Sequence, residues 1–129
     1  MGNLESAQET FREAQALAPK SPEALRCLAA VALERHDFKQ ALALHRQLLE
    51  LDEVPVELLY NTGLLLQKLG RAKDAAGYYQ KALDQRPGFP QALLNLGHAL
   101  MSLGRQEEAH TCWQAALRSN VELTEHFLV

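Results

Sequence analysis

Leu58, Leu59, Thr62, Gly63, Leu65, Leu66 and Leu69 fall on one stripe when the chain is wound at about 3.6 residues per turn, with polar residues filling much of the remaining surface. This predicts an amphipathic helix. A second helical pattern has anchors such as Phe38, Ala41, His45, Leu48 and Leu49. Both patterns recur at a fixed distance. "LGRAKDAAGYYQKAL" from Leu69 to Leu83 is echoed thirty-four residues later by "LGRQEEAHTCWQAAL", Leu103 to Leu117. One period earlier stands "RHDFKQALALHRQLL", Arg35 to Leu49, and one before that "MGNLESAQETFREAQ", Met1 to Gln15.

With Pro22, Val56 and Pro90 as position 1, the 129 residues form one array with no insertion or deletion. Its complete units are 22–55, 56–89 and 90–123. Residues 1–21 supply the second helix of a preceding partial unit, Asn3 to Leu17, and 124–129 the start of a further helix or cap. Each unit holds helix A over the first stripe and helix B from about position 17 to 30. Gly70 and Gly104 at position 15 end the A helices, where a left-handed residue is favoured, and Gly2 and His36 occupy the same place. Histidine tolerates that conformation better than a branched residue does. Pro22 and Pro90 suit a first helical turn, Pro55 comes one residue early, and Pro19 and Pro87 at position 32 stop the preceding B helices.

Position 20 is alanine in every copy, as Ala7, Ala41, Ala75 and Ala109, and position 8 is Ala29, Gly63 and Gly97. Small residues on both helices predict a close approach within each hairpin. Phe11, His45, Tyr79 and Trp113 at position 24 are expected to fill the space between successive hairpins.

This pattern resembles the tetratricopeptide repeat: thirty-four residues, a small residue at position 8, Gly at 15, Ala at 20 and 27, an aromatic near 24 and Pro at 32. The resemblance covers essentially the whole chain. It departs at position 4, where Leu25, Leu59 and Leu93 replace a large aromatic, at Thr62 in position 7 and at His36. Pentatricopeptide arrays have a nominal period of about 35 and a basic RNA-binding surface, and the strict period and acidic balance point away from them. The resemblance implies an all-α, right-handed superhelical solenoid of antiparallel helix pairs, stabilised largely by interfaces between neighbouring units. It also implies a concave groove lined by the A helices.

Positions 5, 9 and 12 of helix A lie roughly opposite the core stripe. In order they are Arg26, Ala30 and Leu33; Tyr60, Leu64 and Gln67; Leu94, His98 and Met101. Six of the nine are apolar or aromatic, more than an idle solvated face needs. The resemblance places these residues in the groove, with Asn61 and Asn95 at position 6 offering amides to a peptide backbone. The function so implied is a non-catalytic protein–protein interaction module that binds a partner's peptide or helix. The alternative expectations are a substrate-recruiting arm of a larger multidomain enzyme, such as a glycosyltransferase, or a scaffold self-associating through the array ends. Family members that clamp a C-terminal carboxylate use a fixed basic and asparagine set, matched here by Arg26 and Asn61 but not by Ala30, Gln91 and Asn95. That specificity is rejected.

The remaining composition removes alternatives. Sixteen acidic against thirteen basic residues give a net charge of −3, a poor surface for nucleic acid. No apolar run is long enough to span a membrane, and "MGNLESAQETF" does not look like a secretion signal. The Gly2 and Ser6 spacing of a myristoylation signal lacks a supporting basic cluster. A cytoplasmic location without membrane contact is therefore expected. Cys27 and Cys112 read as small buried hydrophobes. His36, His45, His98, His110 and His126 show no metal-ligand spacing, and no nucleophile, base or phosphate loop stands out. No cofactor, metal or catalytic residue is expected. His98 has one further reading, as a groove residue whose protonation changes partner affinity.

Overall fold

The computed structural model describes residues 21–128, and side chains within 21–119. The helix expected over 1–21, with Gly2, Ala7, Phe11 and Pro19, lies outside the described residues, as do the side chains of His126 and Phe127. The chain divides into two compact units, one ending at Val54 and the other beginning at Pro55.

Among the described residues the regular structure consists of six helices. In the first unit α1 (Pro22–Glu34) and α2 (Phe38–Leu48) pack as a hairpin. In the second, α3 (Val56–Lys68) pairs with α4 (Ala72–Gln85), and α5 (Pro90–Ser102) with α6 (Gln106–Leu128). Helix α4 also packs against α5, joining the two hairpins, and α3 touches α5. Among the described residues the architecture is all-α and built of paired helices, as the repeat pattern predicts. No described helix is long and apolar enough to cross a membrane.

The helix starts follow from local chemistry. Pro22 and Pro90 occupy the first turns of α1 and α5, where the missing N–H has no intrahelical role. Asp37 caps α2 by accepting a bond from the Gln40 backbone N–H at 3.2 Å. At the start of α3, the Glu57 carboxyl is held below its ordinary pKa by its own backbone N–H and then by Arg86, whose guanidinium lies 2.9 Å away.

All three A helices end in the same motif. His36, Gly70 and Gly104 have φ of 58°, 77° and 78°. Each donates its N–H three residues back, to Leu33, Gln67 and Met101 respectively, while the next residue reaches back five, to Ala32, Leu66 and Leu100. These are Schellman turns. They bond otherwise orphaned carbonyls and deliver the chain straight into helix B. Pro87 lies two residues beyond α4, and Arg86 before it has left the helical region, with φ of −136° and ψ of 86°. Helix α6 has Val121 at the corresponding position and runs unbroken through 124–128, where the period alone predicts a new start. Valine keeps the N–H that proline lacks.

Ala41, Ala75 and Ala109 have no exposed surface. The Tyr79 and Trp113 rings at position 24, however, do not simply fill space between hairpins: they meet the A helix of their own hairpin. A Cβ on Gly63 would stand 2.5 Å from Cε1 of Tyr79, and one on Gly97 would overlap the Trp113 indole. The small position-8 residue is thus a seat for the large ring. Thr62 is fully buried and self-sufficient, its hydroxyl donating 2.8 Å to the Leu58 carbonyl.

Candidate functional site

None of the eleven groove candidates is buried. In the first unit Arg26, Ala30 and Leu33 are exposed along α1 at helical spacings of four and three residues, which put them on one face. In the second unit Tyr60, Leu64 and Gln67 of α3 are half-buried and Asn61 is exposed. On α5, Leu94 and His98 are exposed, and Asn95 and Met101 half-buried. Leu94 keeps 39% of its surface in solvent and Leu33 keeps 36%.

The second-unit residues form a connected wall. The Asn95 amide, through Nδ2, donates to the Tyr60 hydroxyl and to the Gln91 carbonyl, each at 2.9 Å, so α3 and α5 are tied directly. Tyr60 also packs its ring 5.0 Å from that of Phe89 and 5.8 Å from that of Tyr79. Burial pushes the Tyr60 phenol above its usual pKa, partly offset by the Asn95 bond. The Tyr79 phenol is raised further, by burial and then by the nearby Tyr60. Both hydroxyls therefore stay protonated as donors. That of Tyr79 donates to Gln67 Oε1 at 2.6 Å, a length typical of O–H···O rather than N–H···O.

Trp113 was not among the residues expected in the wall, yet it belongs there. Its Nε1–H donates 3.2 Å to the Leu94 carbonyl, and its ring lies 5.5 Å from His98 and 5.4 Å from His110. Tyr79 and Trp113 thus rise from the B helices, across Gly63 and Gly97, to support Gln67, Leu94 and His98 from below. The signal was present in the sequence: the position-8 residue is glycine where position 24 is Tyr or Trp, and Ala29 where it is His45.

His45 is buried, with Nδ1–H donating 2.8 Å to the Ala41 carbonyl. Burial lowers its pKa, opposed by that bond. Cys27 and Cys112 are free thiols and half-buried, rather than buried as expected. Burial, then Glu108, pushes the Cys112 thiol up, away from nucleophilic use. Among the described residues no group of three or more His, Cys, Asp or Glu is placed to hold a metal ion. A cleft of about 580 Å³ opens among α4, α5 and α6, over Ala76, Gly77, Leu96 and Leu100. None of the eleven candidates lines it.

Comparison with known proteins places this geometry. A family model described as tetratricopeptide repeat matches residues 66–123, and a second with the same description matches 1–53 and 28–90. Photosystem I assembly protein Ycf3 of Synechococcus sp. (strain WH7803) is 36% identical over 64 residues, 47% of this chain. Tetratricopeptide repeat protein 8 of Caenorhabditis elegans is 29% identical over 119 residues, 88% of this chain. The chain spans 37% and 23% of those two proteins' own lengths. A crystal structure of MamA superposes with a TM-score of 0.86 at 23% identity, covering 95% of this chain and 71% of that one. YrrB, described as a TPR protein with an unusual peptide-binding site, superposes with a TM-score of 0.82 at 24% identity, covering 92% and 61%. At such identities the structural likeness speaks for the fold alone. The sequence matches, together with the period and the Schellman-turned hairpins, show that the chain belongs to the tetratricopeptide-repeat family.

Proposed function

We propose that the chain is a non-catalytic protein-interaction module and that the α3/α5 face of its second unit takes up a segment of a partner protein. The observation that carries this reading is the exposure of Leu94 on α5, with Leu64 on α3 and Met101 on α5 only half-buried, in a unit where Asn95, Tyr60 and Gln67 are hydrogen-bonded in place. Apolar surface of this kind, stiffened from beneath by Tyr79 and Trp113, favours binding because little side-chain freedom is left to lose. Arg26, Ala30 and Leu33 serve the same purpose on α1. The fold supports the reading, as does the description of YrrB as having a peptide-binding site.

A random-peptide display library panned against the protein tests it. Peptides should enrich and should bind at least tenfold more weakly to a Leu94→Ser, Asn61→Ser double variant, both residues being exposed, while its melting temperature stays within a few degrees. Peptides binding parent and variant equally, or no enrichment, would remove the proposal. Tyr60 is a poorer probe: its contacts to Asn95, Phe89 and Tyr79 mean that truncation also loosens the fold.

A second reading, self-association, is favoured by Leu117. It is 64% exposed, whereas its repeat equivalent Leu83 is 7% exposed. Sedimentation velocity over a range of concentrations should then show mass growth that Leu117→Gln abolishes, and a concentration-independent monomer excludes it.

A further inference from the structure

We infer that the segment received by the α3/α5 face is extended and carries no charged side chain where it is bound, the inference resting on the groove reading above. Two independent features of the wall lead there.

The first is electrostatic. Helix α5, PQALLNLGHALMS, contains no Asp, Glu, Lys or Arg. Helix α3 has Glu57 near its start and Lys68 at its end, and nothing charged from Leu58 to Gln67. Glu57 is already engaged by Arg86 at 2.9 Å. A partner carboxylate or ammonium laid across the middle of this wall would lose its hydration shell and meet no Asp, Glu, Lys or Arg of either helix, a desolvation loss far larger than a neutral side chain suffers. The wall selects neutrality by what it withholds.

The second is the direction of its hydrogen bonds. The Gln91 carbonyl can only accept, so the Asn95 atom 2.9 Å from it is the amide nitrogen, and the flip of the side chain is settled. With Nδ2 also serving Tyr60, both amide hydrogens are engaged, and Asn95 presents Oδ1, an acceptor alone. Gln67 is the converse: its Oε1 is held by Tyr79, leaving Nε2–H to donate. A docked apolar helix has satisfied its own backbone and would cover Oδ1 and Nε2 without partners, leaving each desolvated and unpaired. An extended segment brings both N–H and C=O. Tyr60 and Gln67 are seven residues apart on α3, about 10 Å at 1.5 Å per residue. That is about three residues of extended chain.

The test uses the peptides recovered by the display selection. Their bound core should be depleted in Asp, Glu, Lys and Arg relative to the library, and affinity should change less than about twofold between 0.1 and 1 M NaCl. Methylating backbone nitrogens of the best peptide one at a time should find at least one position where binding falls about tenfold, the loss of one N–H to Asn95 Oδ1. Enrichment of acidic or basic cores, a tenfold salt dependence, or indifference to every N-methylation overturns this inference while leaving the groove reading standing, provided those peptides are lost on Leu94→Ser, Asn61→Ser. Peptides indifferent to that double variant overturn both.

Discussion

The Tyr79 ring rests on the bare Cα of Gly63, so close that an added Cβ would stand 2.8 Å from Cδ1 and 2.5 Å from Cε1. Glycine in mid-helix is ordinarily a liability of about 1 kcal/mol against alanine. Here the missing methyl is the seat of the ring. Gly63→Ala and Gly97→Ala should therefore destabilise, by about 1–3 kcal/mol each from overpacking. Gly77, also inside a helix, has nothing within 4 Å of a Cβ, so Gly77→Ala should stabilise by about 1 kcal/mol. Urea unfolding of the three variants reads the opposite signs.

His36 holds φ of 58° where the equivalent turns use Gly70 and Gly104. A side chain in that region carries a strain of about 1–2 kcal/mol, and glycine gives part of the gain back as unfolded-state entropy. His36→Gly should stabilise by about 1 kcal/mol, visible as a higher urea midpoint without a change in slope.

The buried His45 makes stability depend on pH. Its folded pKa lies below the ordinary value because burial penalises the cation more than the Ala41 carbonyl favours it. The unfolded chain thus takes up the proton first on acidification, from about pH 6.5 downward. The neutral ring's contribution is fully present above that value and is lost as pH falls toward the folded pKa. Melting temperature measured from pH 8 to 5 should drop more steeply for the parent than for His45→Phe, which fills the slot without a titrating group.

The short bond from Tyr79 to Gln67 predicts coupling between helices α3 and α4. Tyr79→Phe should lose about 1 kcal/mol, and clearly less when Gln67 is already alanine. A double-mutant cycle by chemical denaturation measures the difference. Additive losses would show that the bond contributes nothing.

Much of the fold was legible because its signals are local. Pro22, Pro90, Gly70 and Gly104 act within a turn of where they stand, and the A-helix stripe needs only its own periodicity. His36 could be placed in a left-handed turn by register alone. What the sequence does not show depends on partners across helices. Asn95 looks like a free amide in sequence, yet its hydrogens are engaged by Tyr60, thirty-five residues away, and by the Gln91 backbone. Trp113 looked like filler between hairpins because a ring's direction cannot be read without the helix it faces. Helix α6 continues past the place where the period sets a new start because Val121 stands where Pro87 ends the previous repeat.

The seating of Trp113 at Gly97 and of Tyr79 at Gly63 also governs how such a gene can be rearranged. Each hairpin of the second unit carries its own lock and key, so it can be duplicated or transplanted with its fit intact, whereas splicing α6 onto α1 would drive an indole against the methyl of Ala29. Crossovers that fall between hairpins keep ring and seat together, whereas one within an A-to-B turn keeps the fit only where glycine again faces the ring, which makes the thirty-four-residue period a unit of inheritance as well as of packing.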